Sequence, residues 1–431
     1  MSKHNDTIYA LSTPLGKSAI AVIRLSGKDA IKVIKQISSI KKIKNNETKV
    51  LFLKYKGAPV DQVIVAYYKS PNSFTGEDVV EINCHGGIAV IKKISKILEQ
   101  NGLRLAEPGE FTKRALLNNK LDLVKTESIS DIINAETDKQ RELALNNLSG
   151  GLSLFIKEVN NNLAQVLANL EALIDFSDED LPIGILKKIK EQNKNIIKKI
   201  KTEIRNAELS KPIWGGINIA IVGKPNTGKS SFINFVSKKA VSIVTDIPGT
   251  TTDLITSSID IKGYKFTFVD TAGLRSHKNK IEKIGIQKTK QAIKESDLNL
   301  VFLEKNEKNK YSKIKNKLFI KSKSDKRRKT NKNKTHYNIS SLTGDGVDEL
   351  FREIFKKTIK KTKNTPVLSR ERHINIMKRV IKTLKSIKFN QNLDIVAYEV
   401  RGALNLSLEI NEKFDIEKIL DIIFKDFCIG K

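Results

Sequence analysis

Ile217-Asn218-Ile219-Ala220-Ile221-Val222 runs directly into Gly223-Lys224-Pro225-Asn226-Thr227-Gly228-Lys229-Ser230, and this stretch decides the fold of the segment around it. The first six residues read as an apolar strand, the next eight fit GxxxxGKS, and Ser231–Val236 continues as a helix. Strand, glycine-rich bend and helix N-terminus suit a phosphate: glycines let backbone N–H groups curl around the anion, and the helix dipole adds a favourable field. Asn226, Thr227, Gly228, Lys229, Ser230 and Ser231 are expected to face a nucleotide, with Lys229 reaching the β- and γ-phosphates and the Ser230 hydroxyl ligating Mg²⁺. A chance Gly-rich turn is the bland alternative, and strand, spacing and the Lys-Ser pair jointly argue against it.

Downstream, Phe266–Val269 reads as a strand ending in Asp270-Thr271-Ala272-Gly273, a DxxG arrangement with a carboxylate behind Mg²⁺ and the Gly273 N–H facing the γ-phosphate. Gly249-Thr250-Thr251-Thr252-Asp253 lies between the two elements, and Thr251 is the threonine expected to complete the metal shell. Leu318-Phe319-Ile320 leads to Ser322-Lys323-Ser324-Asp325, where a guanine-reading loop would carry Asn-Lys-x-Asp. Asp325 is the group that accepts two hydrogen bonds from guanine, so GTP is the expected nucleotide. Ser322 in place of Asn is expected to weaken binding by about 1 kcal/mol, the scale of one hydrogen bond. Ser340-Ser341 ahead of Gly344-Asp345-Gly346 fits the last base-facing loop; alternatively, 322–325 is merely part of a lysine-rich loop. Leu274 stands where many GTPases place a water-orienting Gln, and an apolar side chain cannot polarise water. Glu282 is a candidate replacement, although by itself it reads as an ordinary surface carboxylate.

The 431 residues suffice for about three domains. Residues 1–118 mix β-rich runs (Ala19–Leu25, Val60–Tyr68, Val79–Cys84) with helical stretches such as Ile88–Leu98, which predicts an α+β domain. From 119 to 210 the pattern is helical, with Leu148, Leu152, Phe155, Val159, Leu163, Val166, Leu170 and Leu173 lining one face and Gly150-Gly151 breaking the run near its start. An α/β segment occupies 211–362, and helical stripes return over 363–431: Ile374, Met377, Ile381 and Leu384, then Ile416, Ile419, Leu420, Ile423, Phe424 and Phe427. The expected fold is multidomain α/β, with a discontinuous all-α domain interrupted by an inserted Ras-like P-loop domain. The Lys/Asn-dense stretch 304–335 is expected to be a solvated loop or frayed edge.

Cys84 and Cys428 are too few and too far apart for a disulfide framework, so a reducing compartment and a cytoplasmic protein are expected. Cys428 reads as a packing residue beside an apolar stripe, with a redox-active thiol as the alternative, and Cys84 with His85 lacks a metal-ligand cluster. No apolar run reaches the roughly 18 residues of a membrane span. The net charge of +30 would attract a nucleic-acid backbone, but abundant Lys, Asn and Ile are also what compositional drift produces, so charge alone decides nothing.

Taken together the chain resembles the MnmE (TrmE) family of tRNA uridine-modification GTPases along nearly its whole length. The resemblance is carried by Ala21-Val22-Ile23-Arg24-Leu25-Ser26-Gly27, Asn72–Gly87, Pro108-Gly109-Glu110-Phe111-Thr112, Asn119-Lys120-Leu121-Asp122-Leu123, Ile174-Asp175-Phe176, the GTPase motifs and the terminal Phe427-Cys428-Ile429-Gly430-Lys431. It implies an N-terminal folate-binding-type domain that forms a homodimer and takes a tetrahydrofolate one-carbon donor at Arg24, Glu81, Lys120 and Lys431. It also implies that Thr245-Asp246-Ile247-Pro248-Gly249-Thr250-Thr251 belongs to the GTP site, with Asn226, Thr245, Ile247 and Thr250 holding K⁺ and Glu282 positioning the attacking water.

The implied reaction adds an aminomethyl-type (carboxymethylaminomethyl) group to C5 of the wobble uridine of certain tRNAs. It would run in a heterotetramer with an FAD-dependent MnmG (GidA)-type partner, since this chain has no dinucleotide fingerprint. Thr252 in place of Arg, Ser322 in place of Asn and a short basic 304–335 region depart from the family pattern. A GTP-switched binding protein of ribosome assembly or signalling would explain the GTPase module but not the N-terminal motifs or the tail; a slow scaffold that binds tRNA is opposed by the intact Lys229, Asp270 and Glu282.

Overall fold

Period-two alternation in the first hundred residues builds a sheet with one apolar face. In the computed structural model, which describes residues 6–175, 184–239, 256–270, 290–304, 307–326, 336–360, 365–411 and 430, strands β1 (Ile8–Leu11), β2 (Ile20–Ser26), β3 (Glu47–Tyr55), β4 (Ala58–Tyr68), β5 (Val79–His85) and β6 (Arg104–Leu105) lie in the order β3-β4-β5-β2-β1-β6. Ile23, Leu25, Val63, Val65, Val80 and Ile82 share one face and cluster with Val33 and Ile34 of α1 (Ala30–Gln36) and Ile91 and Ile94 of α2 (Ile88–Gln100). The residues between them, Arg24, Ser26 and Glu81, therefore belong to the opposite face. Cys84 is buried in the core while its strand neighbour His85 is exposed and pairs with Asp61, so the two cannot ligate one ion.

The second face carries a buried charge cluster. Helix α3 (Glu110–Leu117) lays Arg114, only 1% exposed, across it. The guanidinium donates to the Asp6 carbonyl (2.9 Å) and to the carboxylates of Asp6 (2.8 Å), Glu77 (3.1 Å) and Glu110 (3.0 Å), while Arg104 clamps Glu110 (2.6 Å) and Asp6 (2.7 Å) from outside. Burial alone would push the Glu110 carboxyl up, but hydrogen bonds from Arg104, the Glu107 N–H and Arg114 outweigh it and hold the group below its ordinary 4.5.

Helices follow: α4 (Leu123–Ile133), α5 (Asp138–Leu148), α6 (Gly151–Asp175), α7 (Ile185–Leu209) and α8 (Lys211–Gly215). Gly150 separates α5 from α6, and Leu152, Val159, Leu163, Val166 and Leu170 form the buried face of α6. The second sheet contains β7 (Ile217–Gly223), β8 (Thr256–Ile261), β9 (Tyr264–Asp270), β10 (Leu298–Phe302), β11 (Lys317–Lys321) and β12 (Tyr337–Asn338) in the order β12-β11-β10-β7-β9-β8. All neighbours run parallel except β8 with β9. Its helices include α9 (Lys229–Lys239) and α10 (Val347–Thr358); Phe232 of α9 is buried with ring centroids 5.8 Å from Phe268, 5.6 Å from Phe302 and 6.4 Å from Phe351. The chain continues with α11 (Glu371–Ser386) and α12 (Leu393–Leu408). Ile374, Met377, Ile381 and Leu384 are buried in α11, which packs on α7, where Asn193 Nδ2 donates to the Leu384 carbonyl at 3.2 Å.

Two compact units result: Met1–Ile133 with Asn147–Asn160 and Asn405–Lys431, and Asn134–Asn146 with Asn161–Leu404. The chain passes between them after Ile133, Asn146, Asn160 and Leu404. The Lys/Asn-dense stretch differs from expectation: part of it is the paired strand β11, where Leu318 and Ile320 are buried and the flanking Lys317 and Lys321 are half-buried. Long lysine stems cover apolar surface while their ammonium groups reach water, so a lysine-rich segment can still form an internal strand. The stripe Ile416–Phe427 lies outside the described residues. No helix among those described is long and apolar enough to cross a membrane.

Removing one member of a buried ion cluster leaves the rest uncompensated, so Arg114→Met should destabilise the N-terminal unit by about 3 kcal/mol or more in denaturant unfolding. Because the Glu110 pKa is depressed by folding, its contribution is present above 4.5 and is lost as pH falls through the lower folded value. Stability of the native chain should therefore fall steeply on acidification below about pH 4.5, and the Arg114→Met acid limb should be flatter; parallel limbs would show that the cluster is not the source.

Candidate nucleotide-binding site

Parallel strands end together, which brings loops from distant parts of the chain to one edge of the sheet. Gly223 ends β7 opposite Phe302, the last residue of β10; Asp270 ends β9 opposite Ile221; and Lys321 ends β11 opposite Asn338. The bend 223–230, the buried Asp270 carboxylate, the 322–325 loop and Ser340-Ser341 thus all start from the same edge.

Within the bend, Lys229 is buried and donates from Nζ to the carbonyls of Gly223 (2.9 Å) and Lys224 (2.6 Å), while Thr227 Oγ1 donates to the Lys224 carbonyl (2.8 Å). These bonds fold the bend into a closed curl. Helix α9 begins at Lys229, and the first-turn N–H groups of any helix lack intrahelical partners, which makes its N-terminus an anion receptor.

Ser322 and Lys323 reach the same bend. The Ser322 hydroxyl donates to the Thr227 carbonyl at 2.5 Å and Lys323 Nζ to the Asn226 carbonyl at 3.0 Å. Gly228 is what permits this approach. It sits at φ +94°, and a β-carbon there would stand 2.2 Å from Ser322 Oγ. Asp325 accepts from Ser340 Oγ at 2.7 Å, and the Ser340 N–H donates to the Asp345 carbonyl at 2.9 Å, so the two expected base-facing loops are joined.

In the N-terminal unit, Arg24 and Glu81 are cross-strand partners on β2 and β5, with Arg24 Nε donating to Glu81 at 2.9 Å. The guanidinium lies 5.6 Å from the Phe74 ring centroid and 5.8 Å from that of Phe111. The Lys120 stem runs beside Gly76, its Cγ and Cε each 3.4 Å from where a β-carbon would be. Gly430 is buried against the end of β1: its carbonyl accepts from Ser12 Oγ at 2.9 Å, and a β-carbon would meet the Leu11 carbonyl at 2.3 Å.

Residues 7–120 match the family described as GTP-binding protein TrmE N-terminus, and residues 123–428 match the MnmE helical domain. The tRNA modification GTPase MnmE of Thermotoga maritima is 37% identical over 456 residues, spanning 99% of this chain and 100% of its own. Its namesake from Fervidobacterium nodosum is 40% identical over 453 residues, spanning 99% and 98%, and that from Aquifex aeolicus 36% over 450 residues, spanning 99% and 100%. The chain belongs to the MnmE family of tRNA modification GTPases.

Of the residues expected to form the MnmE nucleotide site, Asn226, Thr227, Gly228, Lys229, Ser230, Ser231, Asp270, Ser322, Lys323, Asp325, Ser340 and Ser341 start from the one sheet edge. Thr245, Asp246, Ile247, Pro248, Gly249, Thr250, Thr251, Thr271, Ala272, Gly273 and Glu282 lie outside the described residues, as do Thr252, Leu274, Cys428 and Lys431. In the sequence Ser322 is only a missing asparagine, and nothing local marks the tie its hydroxyl makes between the 322–325 loop and the bend. The proximity of Phe74 and Phe111 to Arg24 likewise depends on packing across the sheet. Gly228→Ala should abolish measurable GTP binding in calorimetry while leaving far-UV circular dichroism unchanged, because the added methyl group must displace either the bend or Ser322; wild-type affinity in that variant would show the contact to be dispensable.

Proposed function

We propose that this MnmE-family GTPase uses K⁺-dependent GTP hydrolysis, with an FAD-dependent MnmG (GidA)-type partner, to install an aminomethyl-type (carboxymethylaminomethyl) group at C5 of the wobble uridine of certain tRNAs. The observation that carries the nucleotide half is the meeting of the 223–230 bend, Asp270 and the Asp325–Ser340 pair at one sheet edge. Lys229 and the α9 N-terminus bind the phosphates, and Asp325, with Ser340 and Ser341 beside it, reads the guanine. The Ser341 hydroxyl oxygen is buried with no hydrogen-bond partner among the described residues, which suits a loop that awaits a polar ligand.

The donors present fit hard cations: the Ser230 hydroxyl and Asp270 carboxylate suit Mg²⁺, with Thr251 completing its shell, and the oxygens of Asn226 suit K⁺ together with Thr245, Ile247 and Thr250. Bound there, the two cations would offset charge developing on the phosphates. Glu282 positions the attacking water. Arg24 and Glu81, on the N-terminal sheet, hold a tetrahydrofolate one-carbon derivative together with Lys120 and Lys431. The Arg24–Glu81 pair beside Phe74, which is 39% exposed, offers a cation, a carboxylate and an aromatic wall to a flat, polar-edged ring. Such a group supplies the carbon of the modification. Homodimerisation has support in Val50, Phe52 and Ile64, apolar side chains exposed near one another on β3 and β4.

Deleting the chain from its host should remove the modified wobble nucleoside from tRNA in mass analysis, wild-type protein should restore it, and Glu282→Ala should not; an unchanged nucleoside profile after deletion would favour a binding protein without covalent tRNA chemistry. In vitro, GTP turnover in K⁺ should exceed that in Na⁺ at equal ionic strength by about tenfold or more, the low end of what stabilising transition-state charge contributes, and equal rates would remove the potassium role.

A further inference from the structure

We propose that the outward face of α7 is a docking surface for the phosphate backbone of tRNA, an inference that rests on this chain acting on tRNA. Helix α7 divides into two sides. Ile189, Ile196, Ile200, Ile204 and Ala207 are buried on the side that packs against α11. Lys194, Lys198, Lys201 and Arg205 are exposed and follow one another at steps of four, three and four. At 3.6 residues per turn they fall within an arc of about 60° opposite the buried side and extend over about 16 Å of helix axis.

Of the three acids of α7, Glu203 lies on the far side and accepts the Val367 N–H at 2.6 Å, while Glu191 and Glu208 flank the cations, each about 20° beyond one edge of their arc, with Glu208 held by Lys378 of α11 at 3.1 Å; no carboxylate falls within the arc. None of the four cations forms an ion pair among the described residues.

Compositional drift toward lysine would add cations at every exposed position but would not keep carboxylates out of this arc. Like charges at i, i+4 destabilise an isolated helix, so a row of them without carboxylates between persists at a cost that an anionic partner offsets. A polyanion with regularly spaced charges fits such a row, and tRNA is the polyanion on which this family acts. The stripe contributes affinity through counterion release rather than sequence selection.

The test uses the full chain carrying Lys194→Gln, Lys198→Gln, Lys201→Gln and Arg205→Gln together. A matched control neutralises the exposed Arg352, Lys356, Lys357 and Lys360 at the end of α10. Fluorescence anisotropy with a labelled tRNA transcript is recorded across a KCl series, with GTP turnover measured in parallel. The α7 variant should bind at least about tenfold more weakly than wild type near 0.1 M salt and show a log affinity against log salt slope reduced by about three, as expected for four lost phosphate contacts. The control should keep the wild-type slope, and GTP turnover should be unchanged in both. Equal slopes for all three proteins, or equal losses in the two variants, would overturn the proposal, the second result assigning binding to the overall charge. Binding of phosphatidylglycerol vesicles that the α7 variant loses, with tRNA binding intact, would assign the face to a membrane and overturn it. If wild type takes up no tRNA while GTP turnover proceeds, the surface falls and the GTPase reading stands.

Discussion

A bend that wraps an anion with its own backbone must keep side chains out of the curl and yet be held rigidly from behind. Here both requirements meet in the contact between Gly228 and Ser322. The missing β-carbon of Gly228 admits the Ser322 hydroxyl to the Thr227 carbonyl, and Lys323 adds a second tether to the Asn226 carbonyl. The 322–325 loop and the 223–230 bend are then one mechanical piece, set by the parallel pairing of β7, β10 and β11. Ser322 makes this link through a short side chain.

The N-terminal unit solves a different problem, which is to hold charge on one face of a sheet whose other face is a hydrocarbon core. Arg114 gathers three carboxylates beneath α3, and each of its bonds also ties a separate segment: the entry to β1 through Asp6, the 72–78 loop through Glu77 and its own helix through Glu110. A cluster so buried is stable only when every member is present. Because it anchors α3, it also fixes the Phe111 ring near Arg24. The close fit of Gly430 against β1 brings the end of the chain to that unit and gives a steric reason for glycine in the terminal motif.

Charge on the helical part is arranged rather than merely abundant. The surplus of +30 is visible in the composition, but composition cannot say whether lysines are scattered or aligned. On α7 a row of cations is aligned within one arc that holds no carboxylate.

Local pattern was enough to read the strand-bend-helix unit at 217–236, the alternation of β2, β4 and β5, the break at Gly150 and the apolar faces of α6 and α11, because each depends on residues close in sequence and on a fixed backbone period. Pattern misjudged part of the lysine-rich stretch around β11, since lysine stems count as polar in a sequence but pack as hydrocarbon in a sheet. The partner of Ser322 lies 95 residues away, Arg114 bonds Asp6 across 108, and the tail meets Ser12 across 418. No periodicity encodes such pairings. They follow from strand order and register, which exist only once distant segments have packed, and they determine which polar atoms are satisfied and which are left to receive a ligand.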